Sequence, residues 1–595
     1  MARHLYSLVR KAPWLFTLLL LLQCFISFPY LIPADPDSAF FRSSVLSSLL
    51  IMLSAFPVHR ALVHHDFRAL RTGWLFGLLL AIALSLGSEL YAYDRLLPGT
   101  GSLIRRVAVP LLASPALGVL ASYAMVWRPA QKRHLNLPAS AFFLILALCY
   151  LAVLLAFYPG VISYDFEHEI AQFRSETFEA AHPVFHTFLI GLFSLLGEKV
   201  FHSLTCGLFL YNLFQLLCVA ALFAHVCAFV SRRVPRICAV MLTAAFALLP
   251  FHGVLAVSTV KDALFTALCT VLCTCLWQMA EDPLAFLGSL WRRLRLFLLC
   301  LFMCLLRHNA VFAVLPAILV MLLLCLSHSR RIWLTALAMC ILCFGIPKGL
   351  EVSVHARRLP STELLSVPCQ QLMRTGVRAE LNDQEYEDIA KRFSFALHKY
   401  RENCADPAKG GNFDFARFSA DPLNFWKTWA HYGRRFPLIY AEAFLENCIG
   451  IWYPGDTSHA HTLSTEDWKM VYLNTSYSYE EGRYDIHPHS FLPSLRSLIR
   501  SMTHDMVWEK IPLISLLFIP STYSFLLLLT HLRLRYLHRI HRMSCLPLWG
   551  LFLSILFSAG VFIRYAYPLM AGVPVLAVLA FFSPSLCTAQ QPSEE

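Results

Sequence analysis

The sequence predicts an all-α polytopic membrane protein with about 14 transmembrane helices and one soluble, mainly helical domain inserted on the outer face. Three observations predict this class. Hydrophobic residues make up 57% of the 595 residues. Charged residues make up 14%, against about 25% in soluble proteins. The apolar residues also gather in long runs, as membrane spans require. This balance excludes an ordinary cytosolic enzyme.

The apolar runs predict the spans one by one. They are 13–33, 43–58, 73–92, 104–127, 138–157, 203–230, 237–251, 260–279, 291–306, 309–327, 332–350, 511–531, 546–564 and 567–583. The run 184–198 is also apolar, but about 15 residues is short for a span, which needs about 20. Counting it as a span would move every later loop to the other side of the membrane. We therefore expect a re-entrant or interfacial helix on the outer face there.

The basic residues predict which side each loop occupies. Residues 351–510 hold 21 of the 37 acidic residues and 18 of the 49 basic ones, so the excess of +12 belongs to the rest of the chain. There it forms short clusters between apolar runs, as at 231–236, which is the pattern of cytoplasmic loops. A nucleic-acid partner would require one solvated basic surface and is not expected. The sequence predicts a multi-pass protein of the cell membrane with both termini in the cytoplasm.

The order of runs and polar segments divides the chain. The predicted parts are a four-span addition at 1–137, a membrane core at 138–350 with an outer loop at 158–183, an extracytoplasmic soluble domain at 351–510, C-terminal spans at 511–583 and a cytoplasmic tail at 584–595. Within the soluble domain, helical apolar spacing predicts helices at 383–401 and 421–447.

Unusual polar residues collect on the predicted outer face. The loop 158–183 carries Asp165, Glu167, Glu169 and His182. The others stand at outer ends of spans and are Lys261, Asp262, Arg307, Asn309, Arg564 and Tyr565. Ionisable groups at membrane depth are costly and mark functional sites, although a single cation at a span end often only reaches for lipid headgroups. Three outer cations beside acidic, amide or aromatic neighbours favour a shared anionic ligand.

This set of residues fits sugar transfer from a lipid phosphate. Such a reaction needs cations for the phosphate that leaves and a carboxylate that takes the proton of the acceptor hydroxyl. We expect Asp165 to be this base. The phosphate would be held by Lys261, Arg307 and Arg564, with His182 and Asn309 shaping the pocket.

The role of the neighbouring glutamates is open from the residues alone. Glu167 and Glu169 fit the orientation of the acceptor, and with Asp165 they equally fit the binding of a divalent cation through oxygen ligands. The alternative is that these acidic residues only make one face of a helix soluble and have no further function. Metal dependence is therefore left open, and no other cofactor is indicated.

Several short motifs carry a resemblance to a known superfamily. Tyr158-Pro159-Gly160, Ser163-Tyr164-Asp165 and His182-Pro183 resemble the first outer loop of the GT-C membrane glycosyltransferases. The chain resembles more closely an uncharacterised bacterial multi-span family grouped with them. That likeness spans roughly 138–580 and rests on Lys261-Asp262, Pro368-Cys369-Gln370-Gln371 with Arg374, Trp452-Tyr453-Pro454, and Arg564-Tyr565 with Pro568.

The resemblance implies an activity. It implies a GT-C-like fold in which Asp165 is the catalytic acidic residue, the donor is a polyprenyl-phosphate-linked sugar and the acceptor is a cell-envelope glycan or lipid. It also implies that 184–198 is a juxtamembrane helix. The superfamily's Asp-x-Asp pair is replaced here by Asp165-x-Glu167. Two alternatives stay open, a transporter or flippase of lipid-linked saccharides and a membrane-anchored glycan-binding protein.

Overall fold

The chain folds into packed helices. The computed structural model describes residues 11–27, 31, 45–63, 66–127, 133–324, 330–357, 362–410, 412–455, 484–503, 507 and 514–584. Across these residues there are three isolated β-bridges and no strand. The prediction of an all-α protein is confirmed. Apart from its first residue, the predicted tail 584–595 lies outside the described residues.

The helices before the polar region are numbered α1 to α16. The first group is α1 Pro13–Ser27, α2 Val45–Leu53, α3 Ala55–Val63, α4 Phe67–Tyr93 and α5 Thr100–Val126. The second group is α6 Ala139–Ala156, α7 Tyr164–Ser175, α8 Val184–Val200, α9 Leu204–Ser231, α10 Arg236–Leu248, α11 Pro250–Ala256, α12 Asp262–Glu281, α13 Pro283–Gly288, α14 Leu290–Leu306, α15 Val311–Leu324 and α16 Arg330–Ser353.

The remaining helices form the polar region and the C-terminal part. The polar region contains α17 Ser366–Arg378, α18 Asp383–Ala390, α19 Asp406–Lys409, α20 Phe415–Ala420, α21 Pro422–Arg435, α22 Pro437–Asn447, α23 Ile449–Trp452 and α24 Pro493–Thr503. The C-terminal helices are α25 Pro520–Tyr536, α26 Leu546–Leu556 and α27 Ile563–Phe582. Single 3-10 turns are His308–Ala310, Thr362–Leu365, Lys391–Phe393, Leu397–Lys399, Ser515–Leu517 and Ile540–Cys545.

Among the described residues, seven helices are long and apolar enough to cross a membrane, or eight if the bent pair α10 and α11 forms one span. The seven are α4, α5, α6, α9, α12, α16 from Trp333 onward, and α27. Shorter apolar helices occur at Pro13–Ser27, Ile51–Val63, His308–Leu324 and Ile540–Leu556. Several apolar helices are thus shorter than the roughly 20 residues of a typical span. A membrane protein is supported, and the count of fourteen stays a prediction.

Some predicted spans begin or end at different residues in the structure. The predicted span 43–58 is divided between α2 and α3. The predicted span 237–251 bends by 53° at Leu249-Pro250, because a residue before proline disfavours helical geometry. The predicted span 546–564 ends as a helix at Leu556, and Arg564 belongs to the next helix, α27.

Helix α12 lies at the centre of the membrane part. It packs against α9, α14 and α27. Of its apolar window, 89% is buried inside the protein, against 17% for α16. Burying the apolar residues of these helices is the main favourable contribution to their packing. The two values place α12 in the core and leave α16 at the periphery, where its apolar side chains face outward.

The polar region has an apolar cluster of its own. Leu372, Phe393, Phe425 and Tyr432 belong to this cluster and are buried. The predicted helix 383–401 is shorter than expected, because α18 ends at Ala390 and 3-10 turns follow. The predicted helix 421–447 is interrupted between α21 and α22 at Pro437, since proline lacks the backbone N–H that helix continuation requires.

The first helices are joined to the rest of the chain by two buried arginines. Arg374 of the polar region donates to Asp94 at the end of α4 over 3.0 Å. Arg533 of α25 donates to the carbonyl oxygens of Trp127 after α5 (2.9 Å) and of Ala580 in α27 (2.7 Å). Because the last carbonyls of a helix have no partner within it, Arg533 binds the ends of two helices together.

Candidate active site

A side chain of α9 fixes the loop that follows α6. Asn212 donates from Nδ2 to the carbonyl oxygen of Pro159 over 3.0 Å. The next residue, Gly160, has φ of +133°, and a Cβ there would lie 2.0 Å from Asn212 Nδ2. Both the backbone angle and the close approach require glycine. The Tyr158-Pro159-Gly160 motif is therefore a tight turn against α9.

Gly160→Ala is expected to lower the free energy of unfolding. The strained backbone contributes about 1–3 kcal/mol, and the overlap with Asn212 adds to it. Thermal unfolding in detergent measures the change. Gly101→Ala is the matched control, because Gly101 lies in α5 with open space around it, where alanine is favoured by up to about 1 kcal/mol. Equal unfolding midpoints for the two variants would contradict the proposed turn.

A short parallel backbone pairing brings the starts of α7 and α12 together. Val161 N donates to Val257 O over 2.9 Å, and Thr259 N donates to Val161 O over 2.9 Å. Ser163 N donates to Thr259 Oγ1 over 2.9 Å. These bonds satisfy backbone groups that would otherwise be buried without partners. They place the first turn of α7 beside Lys261, although the two are distant in the sequence.

Five side chains then form the ion cluster, which we define as Asp165, Glu169, His182, Lys261 and Arg564. Lys261 Nζ lies 3.4 Å from Asp165 Oδ2, 3.5 Å from Glu169 Oε1 and 3.2 Å from His182 Nδ1. Arg564 Nη1 lies 3.1 Å from Asp165 Oδ2. The carboxylates stand four residues apart and so share one face of α7. The cations come from the starts of α12 and α27.

In the ion cluster the side chains of the cations are more exposed than those of the carboxylates. The side chains of Lys261 and Arg564 are 12% and 11% exposed, and that of His182 is 21% exposed. The side chains of Asp165 and Glu169 are 6% and 0% exposed. A ligand that enters would therefore meet positive charge and an imidazole first.

The ionisation of the cluster follows from burial and charge. Burial by itself would raise the pKa of Asp165, but the attraction of Lys261 and Arg564 is larger and holds that pKa far below its usual value. Burial likewise opposes ionisation of Glu169, while His186 and Lys261 keep its pKa lowered. Burial and the charge of Lys261 lower the pKa of His182. At neutral pH both carboxylates are ionised and His182 is neutral.

Behind Glu169 runs a buried chain of hydrogen bonds. His186 Nδ1 lies 2.9 Å from Glu169 Oε2, and His186 Nε2 lies 2.8 Å from the Tyr211 hydroxyl. Tyr211 donates to Gln215 Oε1 over 2.8 Å, and the Gln215 amide donates to Ser258 O over 2.6 Å. The chain links Glu169 to the backbone carbonyl of Ser258 through three buried side chains.

This network fixes the position of His186. One ring nitrogen faces the Glu169 carboxylate and the other faces the Tyr211 hydroxyl. Within the ion cluster, Lys261 and Arg564 balance the charges of Asp165 and Glu169. Since these two cations are more exposed than the carboxylates, an anionic ligand would reach them first.

A second ion pair lies beside the cluster. Arg307 pairs with Asp262, the first residue of α12. The guanidinium carbons of Arg307 and Arg564 each lie 5.0 Å from the centroid of the Tyr565 ring, a cation–π distance. Tyr565 thus keeps two cations close together that would otherwise repel each other.

The polar region reaches the same place. Ala405 N donates to Ala559 O over 2.6 Å, and Cys404 and Phe562 form a small apolar cluster against Tyr565. On the other side, Arg357 N donates to Phe178 O over 2.7 Å. These contacts place the polar region beside the segment before α27, which begins with Ile563 and Arg564, and beside the loop that carries His182.

The structure brings together most of the predicted site residues. Asp165, His182, Lys261 and Arg564 lie in the ion cluster, and Asp262, Arg307 and Tyr565 form the neighbouring pair. Two predicted residues stand apart. Glu167 is half-buried on α7, and a separation of two residues turns it about 200° around the helix from Asp165. Asn309 follows Arg307, and no described contact joins its side chain to the ion cluster. Its Oδ1 atom is buried without a hydrogen-bond partner among the described residues.

The sequence reasoning missed His186, Tyr211, Asn212 and Gln215. All four lie within apolar runs, the first in the predicted interfacial helix and the others in the predicted span 203–230. The sequence feature that could have identified two of them is their spacing. Tyr211 and Gln215 stand four residues apart and so share one helix face. Polar groups on one face of a span are functional candidates.

The sequence left open that a divalent cation binds at this site. Among the residues that the structure describes, no group of three or more histidine, cysteine, aspartate or glutamate side chains is placed to hold a metal ion. The acidic pair that does come together is Asp165 with Glu169, and the ammonium group of Lys261 lies between them. Lys261 there supplies the positive charge that a metal would bring.

Fold and site define a class, an all-helical protein with several candidate membrane spans and a buried ion cluster between α7 and the starts of α12 and α27. The chain belongs to a family of unknown function (DUF6020), whose pattern matches residues 164–594. The match begins at the first residue of α7 and includes the whole ion cluster. Membership of an uncharacterised family is confirmed. No curated protein and no solved structure is similar enough to this chain to count as a match.

Proposed function

We propose that this chain is a membrane glycosyltransferase of the GT-C type. It would transfer a sugar from a polyprenyl-phosphate donor to a glycan or lipid acceptor on the outer face of the membrane. The observation that carries the proposal is the contact of Asp165 with both Lys261 (3.4 Å) and Arg564 (3.1 Å). A base and two phosphate-binding cations then meet at one point beside the apolar helices.

The proposal includes the full predicted architecture. Fourteen spans would place both termini in the cytoplasm and residues 351–510 outside as an inserted domain. The separate apolar cluster of the polar region supports an independent unit. Its contact with the loop before α27 supports a role in covering the site or binding the acceptor.

The cations of the cluster would bind the phosphate of the donor. Charge-assisted hydrogen bonds to phosphate oxygens are stronger than neutral ones, and Lys261 and Arg564 are the more exposed charges of the cluster. An arriving phosphate would compete with Asp165 for Lys261 and Arg564. Asp165 would then lose part of the attraction that lowers its pKa, and its basicity would rise when the donor is in place.

The chemical step follows from these positions. An Asp165 oxygen accepts the proton of the acceptor hydroxyl while the acceptor oxygen bonds to the anomeric carbon of the sugar. The bond from that carbon to the phosphate oxygen breaks, and the electron pair stays on the phosphate. Lys261, Arg307 and Arg564 stabilise the charge of the leaving phosphate. The products are the glycosylated acceptor and polyprenyl phosphate.

A direct assay tests this proposal. The purified full chain is reconstituted in lipid vesicles with a panel of polyprenyl-phosphate hexoses, pentoses and amino sugars and with a cell-envelope lipid extract as acceptor. Mass spectrometry then follows free polyprenyl phosphate and glycosylated lipid. We expect both products with at least one donor. Movement of intact donor across the bilayer without cleavage would overturn the proposal in favour of a transporter.

Arg564→Gln is expected to weaken donor binding. The substitution removes one charge-assisted hydrogen bond, about 1.5–3 kcal/mol, and so should raise the dissociation constant for polyprenyl phosphate by about 10–150-fold. Binding in nanodiscs measures it. Arg417→Gln is the control, because Arg417 is 49% exposed in the polar region and pairs with Asp414 only loosely. An equal affinity for both variants would remove Arg564 from the phosphate site.

A further inference from the structure

A pocket separate from the ion cluster lies between α7 and α8. It has a volume of about 660 Å³ and is lined mainly by apolar side chains, among them Ile170, Phe173, Phe178, Phe188 and Leu195. This volume is in the range of about 300–1,000 Å³ that small-molecule sites have. Its lining on α7 begins with Ile170, the residue after Glu169, and its lining on α8 begins with Phe188, two residues after His186.

The surroundings of the pocket point to lipid. Its wall is completed by Val354 and His355, which directly follow α16. Helix α16 is the candidate span with the least buried apolar window, 17%. Helix α8 also exposes Leu192 (61%) and Val200 (58%). Exposed apolar surface of this extent on a membrane protein favours contact with lipid acyl chains.

The rim of the pocket carries charges of both signs. Arg174 and Glu198 form an ion pair in which both side chains are partly exposed, 42% and 38%. Glu176 and His355 complete the rim. An anionic headgroup finds no excess of positive charge here, because two carboxylates accompany one guanidinium. A zwitterionic headgroup matches both signs, its ammonium with the carboxylates and its phosphate with Arg174.

We propose that this pocket holds one acyl chain of a zwitterionic glycerophospholipid from the surrounding bilayer. Its headgroup lies against Arg174, Glu176 and Glu198. The bound lipid is distinct from the lipid phosphate proposed for the ion cluster, and the site does not depend on the glycosyltransferase proposal. It fills the seam between α7, which carries Asp165 and Glu169, and α8, which carries His186.

Photolabelling tests the proposal. The full chain is placed in phosphatidylcholine vesicles that contain phosphatidylcholine with a diazirine in one acyl chain, and the labelled peptides are mapped by mass spectrometry. We expect labels on residues 170–178 and 188–198. Leu195→Trp fills the pocket. It should lower this labelling about tenfold, which corresponds to the lost burial of about two methylene groups of the acyl chain. Leu196→Trp is the matched control, because both leucines are 40% exposed and only Leu195 lines the pocket.

Competition identifies the lipid. Unlabelled phosphatidylethanolamine should displace the label as well as phosphatidylcholine does, and phosphatidylglycerol or polyprenyl phosphate should displace it less. Glu198→Gln removes one negative charge from the rim and frees Arg174 from its ion pair, so it should shift the preference toward phosphatidylglycerol. This keeps the test decisive even if Leu195→Trp fails to fold. Stronger displacement by polyprenyl phosphate, or equal labelling of the two tryptophan variants, would overturn the proposal. Labelling that survives in Asp165→Asn separates this site from the proposed catalysis.

Discussion

Asp165→Asn is expected to lower the rate of sugar transfer by about 10²–10⁴-fold, the range that a positioned general base contributes. The amide keeps the shape of the side chain but cannot accept the proton. It also no longer competes for Lys261 and Arg564. Polyprenyl phosphate should therefore bind the variant at least as tightly as it binds the wild type.

These two results together distinguish a general base from a residue that is needed only for folding. A role in folding alone would weaken transfer and donor binding together, so transfer rate and dissociation constant must be measured on the same preparation. Asp485→Asn is the control, because its carboxylate is 82% exposed and pairs only with His487 in the part of the chain that the structure describes. Transfer by Asp165→Asn at the wild-type rate would remove the proposed base.

Lys261→Met is expected to lower the free energy of unfolding by about 3–5 kcal/mol at neutral pH, because the loss of one partner leaves buried charges without compensation. Methionine is close to lysine in length, so the change is mainly one of charge. Asp165 retains Arg564, and Glu169 retains its contact with the His186 ring at 2.9 Å.

The pH dependence of stability should weaken in this variant. In the wild type the pKa values of Asp165 and Glu169 are lowered by folding, so their contribution is complete above their unfolded pKa of about 4 and is lost as the pH falls below it. Without Lys261 these two pKa values are lowered less, so less stability is lost on acidification.

Chemical unfolding in detergent at pH 7 and pH 3 measures this effect. The difference between wild type and Lys261→Met should be smaller at pH 3. Lys391→Met is the control, since Lys391 is 40% exposed and pairs with Glu387 on the surface, where such pairs contribute about 0–1 kcal/mol. A deficit that is the same at both pH values would mean that Lys261 does not neutralise the buried carboxylates.

The ionisable residues of the site were predictable because they are out of place in an apolar sequence. Lys261, Arg307 and Arg564 stand at the ends of runs where charge is costly, and this alone marks them. Glu167 and Glu169 look equivalent in the sequence. Only the helical geometry of α7 separates them, since Glu169 shares the face of Asp165 and Glu167 does not.

The second layer of the site was not predictable by the same reasoning. His186, Tyr211 and Gln215 are uncharged or singly placed residues within runs that read as uniformly apolar. Their importance depends on a hydrogen-bond chain between α8, α9 and the segment after α11, and such a chain exists only once three separate segments are packed.

By itself, the sequence determined the helical class, the apolar helices and the candidate charges, because these depend on composition and on periodicity along one segment. The tertiary structure decided which charges meet. Pairing of residues 161–163 with 257–259 brings Asp165 to Lys261, and the packing of α12 on α27 brings Arg564 to both. Contacts between positions so far apart in the chain depend on how helices pack, and local pattern carries no record of that packing.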